Sequence, residues 1–115
     1  MTGHLLLDKI DSRKPVTISS NVIDTVIREY IGFEGLLISD DISMAALTGD
    51  LSSITKNVFL AGCDVVLHCN GKLDEMKKIV DKNQGFGAVS KKRANKFLIK
   101  LTKLKKQRKA IDYMT

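Results

Sequence analysis

Asp40 and Asp41 stand side by side at the end of an apolar run in the stretch GFEGLLISDDISM, residues 32–44. Residues 36–38 read as a buried strand that stops on Ser39. Two adjacent carboxylates at such an end are electrostatically awkward unless donors or a reaction use them. Further chemistry-bearing residues sit at comparable places. His68 and Asn70 are near the end of the apolar run CDVVLHCN, residues 63–70, and His4 opens HLLL, residues 4–7. In a parallel α/β sheet the strand C-termini face one side, where functional groups collect. One polar mouth would then gather Asp40, Asp41, His4, His68 and Asn70. Plainer roles exist for each. Asp41 or Ser43 can cap a following helix, and His68 can be a satisfied core or loop histidine. Cys63 and Cys69 suit small buried hydrophobes. Six residues apart on one strand they are roughly 20 Å apart, too far for a disulfide. No CxxC or HExxH spacing occurs, so neither a metal nor any other cofactor is expected.

The elements that must position these groups follow from periodicity. HLLL reads as the end of a strand. Residues 11–18 read as a loop broken by Pro15. Ser19 or Ser20 can cap a helix whose apolar positions are Val22, Ile23, Val26, Ile27 and Tyr30, stopped by Gly32. GLLISD at 35–40 is the first clear strand. Leu51, Ile54, Val58 and Ala61 form a helical stripe ending at Gly62. The second clear strand lies in 63–70, again apolar without alternation, which points to a parallel sheet buried on both faces. Leu73, Met76, Ile79 and Val80 give a third helix, and 83–87 a loop. Ala94, Phe97, Leu98, Leu101 and Leu104 give a fourth, expected to pack its stripe on the body. Strands alternating with helices make the fold class α/β.

The chain has 115 residues, enough for one small core, and a net charge of +6. Residues 91–109 hold ten of the nineteen Lys and Arg and no acid, leaving a balance of −4 elsewhere. A nucleic-acid reading must rest on that segment alone, and it offers one aromatic, Phe97, and no stacking platform. No apolar run approaches the ~20 residues of a membrane span. With two cysteines and no signal-peptide pattern, the expected location is cytoplasmic.

The stretch GFEGLLISDDISMAAL closely resembles the nucleophile segment of the family 3 glycoside hydrolases, and most of all their bacterial β-N-acetylhexosaminidase branch. There the pattern is G-F-x-G, apolar residues, then S-D-D-hydrophobic-S/E-M. MTGHLLLDKIDSRKPVTISSNVI resembles the preceding segment, in which M-x-A-H ends a strand, with Gly3 in place of the usual alanine. AGCDVVLHCNG resembles the next strand. The resemblance implies that Asp40 is the nucleophile of a retaining glycosidase, attacking the anomeric carbon to form a glycosyl-enzyme. It implies that Asp41 is a supporting carboxylate, and that His4, Asp41, Ser43 and Met44 border the sugar. The substrate implied is a saccharide with terminal N-acetylglucosamine, as in peptidoglycan-derived muropeptides.

The family's catalytic domain is a (β/α)8 TIM barrel, which takes roughly 250 residues. By motif order the chain supplies the C-terminal portion, from the end of strand 6 through helix 8. Residues 1–89 are then a partial barrel and 90–115 a basic amphipathic C-terminal helix. The branch's acid/base, an Asp-x-His pair, and its K-H-F-P-G-H-G segment do not occur in these 115 residues. A fragment, inactive without an N-terminal portion, is therefore expected. Its partners would be a complementary N-terminal fragment or a second copy, with no membrane and with nucleic acid disfavoured. The alternative is a small α/β binding module that uses its basic helix on nucleic acid or a protein.

Overall fold

The computed structural model describes residues 1–82, 85 and 87–114. The loop expected over 83–87 lies partly outside the described residues. The chain is a mixed α/β structure. A single 3-10 turn, Val16–Ile18, leads into helix α1, which begins as Ser20–Val22 and loosens into π winding over Ile23–Tyr30. Strand β1 is Ile38–Asp41 and helix α2 is Leu51–Ala61. Strand β2 is Val65–Leu67, helix α3 is Leu73–Lys82 and helix α4 is Ala88–Met114. Strands β1 and β2 pair in parallel, with Ile38 opposite Val65 and Asp41 opposite Leu67, and the register shifts between these pairs. Strands form in both expected stretches and their C-terminal ends share one side, but β1 is shifted from the expected 35–40 to Ile38–Asp41, so that Ser39, Asp40 and Asp41 lie inside it.

The helix ends obey the local chemistry. Ser19 caps α1 by accepting from the Val22 N–H. Gly32 follows α1 at φ +71°, a left-handed stop that glycine adopts without strain. Asp50 caps α2, accepting from the Ser52 and Ser53 N–H groups. The stripe of α2 goes inward as its spacing requires. Ile54, Val58 and Ala61 join Ile23, Leu37, Ile42, Leu47 and Cys63 in one core.

Gly62 ends α2 at φ +114°, and an added Cβ would lie 3.1 Å from Cγ2 of the fully buried Ile23. Both the backbone and the core oppose a side chain there. Gly62→Ala is expected to cost about 1–3 kcal/mol, read as a lower urea midpoint at unchanged slope. An unchanged midpoint would mean that α2 does not end in this conformation.

Several expectations from periodicity are corrected. HLLL is not a strand. The N-terminal segment meets β1 through one backbone bond, from the Thr2 N–H to the Ile38 carbonyl at 2.8 Å. Leu7 instead forms an isolated antiparallel bridge with Asp11. The sheet is not covered on both faces either, since Ile38 is 36% exposed. No residue of α3 is buried, although Ile79 packs partly against the core. The apolar positions of α4 do not settle on the body: Phe97, Leu98 and Leu104 are about half exposed. The radius of gyration, 16.5 Å, accordingly exceeds the roughly 13 Å of a compact chain of this size. Among the described residues no helix is long and apolar enough to cross a membrane.

Candidate active site

The site grows from how β1 ends. Ser39 is fully buried, and its hydroxyl donates to the Asp40 carbonyl at 2.8 Å while accepting from the Leu67 N–H at 2.9 Å. That side chain pins the end of β1 to the end of β2. Asp40 comes next, half-buried, with Oδ1 accepting from the Asp41 N–H at 2.8 Å. Its own N–H donates to Thr2 Oγ1 at 3.2 Å. Among the described residues, the Asp41 N–H is the donor that reaches the Asp40 carboxylate.

Asp41 is arranged the opposite way. Its Oδ1 accepts from the Ser43 N–H at 3.0 Å, the Ser43 hydroxyl at 2.7 Å and the Cys69 N–H at 3.1 Å. Oδ2 also accepts from the Ser43 hydroxyl, at 2.8 Å. The Ser43 N–H bond comes first in holding the Asp41 carboxyl below the usual carboxylate range. Burial opposes it, and the Ser43 hydroxyl, the Cys69 N–H and the nearby His68 add to it. The helix-capping reading of Asp41 and Ser43 is corrected. No helix follows them directly, and α2 takes its cap from Asp50. Asp41 instead ties the loop after β1 to the end of β2.

His4 reaches this corner with both ring nitrogens engaged. Nε2 lies 2.8 Å from the Asp41 carbonyl and Nδ1 lies 3.0 Å from Thr17 Oγ1. Met44 is 49% exposed, and its N–H donates to the Asp41 carbonyl at 3.2 Å. Asp40, Asp41, Ser43, Met44 and His4 therefore share one corner.

His68 and Asn70 turn toward α3. The His68 side chain is 5% exposed, and its Nε2 lies 2.7 Å from Glu75 Oε2. Asn70 donates to the same oxygen at 2.7 Å. The His68 bond, then that of Asn70, hold the Glu75 carboxyl below its usual range. His68 Nδ1 has no hydrogen-bond partner among the described residues. Among those residues no group of three or more His, Cys, Asp or Glu side chains is placed to hold a metal. Cys63 and Cys69 are free thiols, Cys63 buried and Cys69 exposed. Burial pushes the Cys63 thiol up to about 11.

Sequence reasoning missed Thr2, Thr17 and Glu75. Nothing in their spacing separates them from ordinary surface residues: Thr2 and Thr17 act across the fold, and Glu75 is met only because the turn after β2 brings His68 and Asn70 onto α3. Ser39 was visible inside the S-D-D motif, but its bridging role needs β2 alongside.

Three comparisons bear on this corner. The glycosyl hydrolase family 3 N-terminal domain matches residues 1–103. A β-hexosaminidase of Psychromonas ingrahamii is 35% identical over 113 residues, covering 90% of this chain and 33% of that protein. A β-hexosaminidase of Methylobacillus flagellatus is 39% identical over 80 residues, covering 66% of this chain and 23% of that protein. Among solved structures, Zn-bound CbsA from Thermotoga neapolitana superposes with a TM-score of 0.66 at 25% identity. That match covers 88% of this chain and 24% of the CbsA chain. The chain thus spans about a third or less of the length of these relatives.

Proposed function

The chain belongs to the glycosyl hydrolase family 3 N-terminal domain family, and on that premise we propose that it is the nucleophile-bearing portion of a retaining β-N-acetylhexosaminidase. The observation that carries the reading is the Asp40 carboxylate, half-buried at a parallel strand end, where among the described residues the donor that reaches it is the Asp41 N–H. One Asp40 oxygen attacks the anomeric carbon of a terminal N-acetylglucosaminide. The C–O bond to the leaving group breaks, and a glycosyl ester on Asp40 results. Water then attacks the same carbon and releases the sugar with its configuration retained. Muropeptides derived from peptidoglycan are the proposed natural substrates, in the cytoplasm.

Protonating the leaving oxygen takes an acid, and general acid catalysis contributes typically 10²–10⁴-fold. The Asp-x-His pair implied by the family resemblance is not in these 115 residues. The exposed Ile38 on β1 and the two strands among the described residues suit the end of a larger β/α barrel whose other strands cover them. The 115 residues alone are accordingly proposed to be inactive.

The test is complementation. The chain is co-expressed with the preceding portion of the Psychromonas ingrahamii relative and assayed with an aryl N-acetyl-β-glucosaminide. Hydrolysis by the pair and none by the chain alone is the expected result. Robust turnover by the chain alone would overturn the division of labour. No turnover by a pair that co-purifies would count against the glycosidase reading.

A further inference from the structure

Asp40 and Asp41 are gripped from the N-terminal side by a chain of three side chains. The Asp40 N–H, which can only donate, points at Thr2 Oγ1 at 3.2 Å. Thr2 Oγ1 lies 3.0 Å from Thr17 Oγ1, which lies 3.0 Å from His4 Nδ1. His4 Nε2 closes the path on the Asp41 carbonyl at 2.8 Å, an atom that can only accept.

With a neutral imidazole at His4, these two ends set the direction of every bond. His4 Nε2 carries the proton, so the neutral ring has a bare Nδ1. That nitrogen accepts from the Thr17 hydroxyl. Thr17 Oγ1 accepts from the Thr2 hydroxyl, and Thr2 Oγ1 accepts from the Asp40 N–H. In the reverse sense between the threonines, the single Thr17 hydroxyl proton would be spent on Thr2, His4 Nδ1 would lose its partner, and the Thr2 hydroxyl proton would be left with the weakly accepting Cys63 sulfur. Thr17 is fully buried and Thr2 is 8% exposed, so water is a poor substitute.

We propose that Thr2, Thr17 and His4 form a one-way hydrogen-bond clamp that positions the Asp40–Asp41 backbone, and through it the Asp40 carboxylate. The link to the carboxylate is the Asp41 N–H, which donates to Asp40 Oδ1 at 2.8 Å. The peptide that bears this N–H lies between the two points the clamp holds. His4 is thereby a positioning residue with both nitrogens spent on protein, in place of a sugar ligand. Its importance to the reaction rests on the nucleophile reading of Asp40; the clamp itself does not.

The experiment uses the full chain, and its first readout needs no variant. Long-range ¹H–¹⁵N correlation of His4 in alkaline buffer, where imidazole is neutral, should show the proton on Nε2 and a bare Nδ1. The opposite tautomer would overturn the clamp. Amide hydrogen exchange is then compared in Thr17→Val and Thr17→Ser. In Thr17→Val the Asp40 N–H should exchange about fivefold faster or more, while Val58 in the core keeps its rate. Thr17→Ser, which keeps the hydroxyl, should restore the Asp40 rate. An unchanged Asp40 rate in Thr17→Val, or acceleration shared equally by Val58, would contradict positioning. If Asp40 proves not to be the nucleophile, the tautomer and exchange pattern still hold. The two claims therefore fail separately.

Discussion

Asp64→Asn should lower the stability of the chain by about 3–5 kcal/mol, the usual cost of removing one member of a buried charge cluster. The Asp64 side chain is 1% exposed. Its Oδ2 accepts from Arg28 at 3.1 Å and from the Leu37 N–H at 2.9 Å. Oδ1 accepts from Arg93 at 2.9 Å and closely from the Ser90 hydroxyl. Four donors thus converge on two oxygens. Asparagine keeps the shape but turns one oxygen into an NH₂, setting donor against donor. The loss is large because Asp64 joins four parts of the chain. Arg28 lies in α1 and also donates to the Phe33 and Gly35 carbonyls. Leu37 leads into β1, Asp64 into β2, and Ser90 and Arg93 belong to the first turns of α4.

Burial works against the Asp64 charge, but bonds from Ser90, the Leu37 N–H and Arg93 outweigh it and hold the carboxyl below its usual range. The stabilisation is therefore complete above the ordinary unfolded value of about 3.9 and is lost as pH falls through the folded value. Urea unfolding followed by circular dichroism should show the Asn variant with a lower midpoint, and the gap from the parent should narrow in acid. A midpoint within error of the parent at neutral pH would show that Asp64 is not the joint described.

Asp40→Ala should remove catalysis from the complemented enzyme by on the order of 10⁴-fold or more, as for other lost nucleophiles. The backbone bonds around it would survive, since Thr2 and Ser39 hold main-chain atoms of Asp40. A well-folded but inactive variant is therefore expected. Asp41→Asn should be much milder, about tenfold, because an amide oxygen can still accept from Ser43 and Cys69. Comparable losses in the two variants would mean that the carboxylates act as a unit. Turnover retained in Asp40→Ala would assign the reaction elsewhere.

The parallel strand pair and the corner formed after β1 were legible because both depend on short local patterns. The apolar run before Ser39 pointed to a strand, and the S-D-D motif fell at its C-terminal end, within β1 over Ile38–Asp41. Gly32 and Gly62 signalled helix stops because left-handed backbone favours glycine. What was illegible depends on contacts across the chain. Nothing local in Asp41 says whether it caps a helix or crosses to Cys69; residues 42–50 decide that by not forming a helix. The π winding of α1 is invisible to a pattern that scores apolar faces, since Ile23 and Ile27 turn inward under either winding. The regular spacing of Phe97, Leu101 and Leu104 said that α4 has an apolar side, not that the body offers a place for it. Thr2 and Thr17 gain meaning only when residues fifteen apart meet.

Mass spectrometry of a trapped intermediate tests the central claim most directly. The complemented enzyme is incubated with a 5-fluoro-N-acetylglucosaminyl fluoride, whose glycosyl-enzyme turns over slowly, then digested and mapped. The account predicts one sugar per active site, attached to Asp40, and none in Asp40→Ala. A label on Asp41, or turnover of the fluoride with no covalent adduct at all, would contradict it.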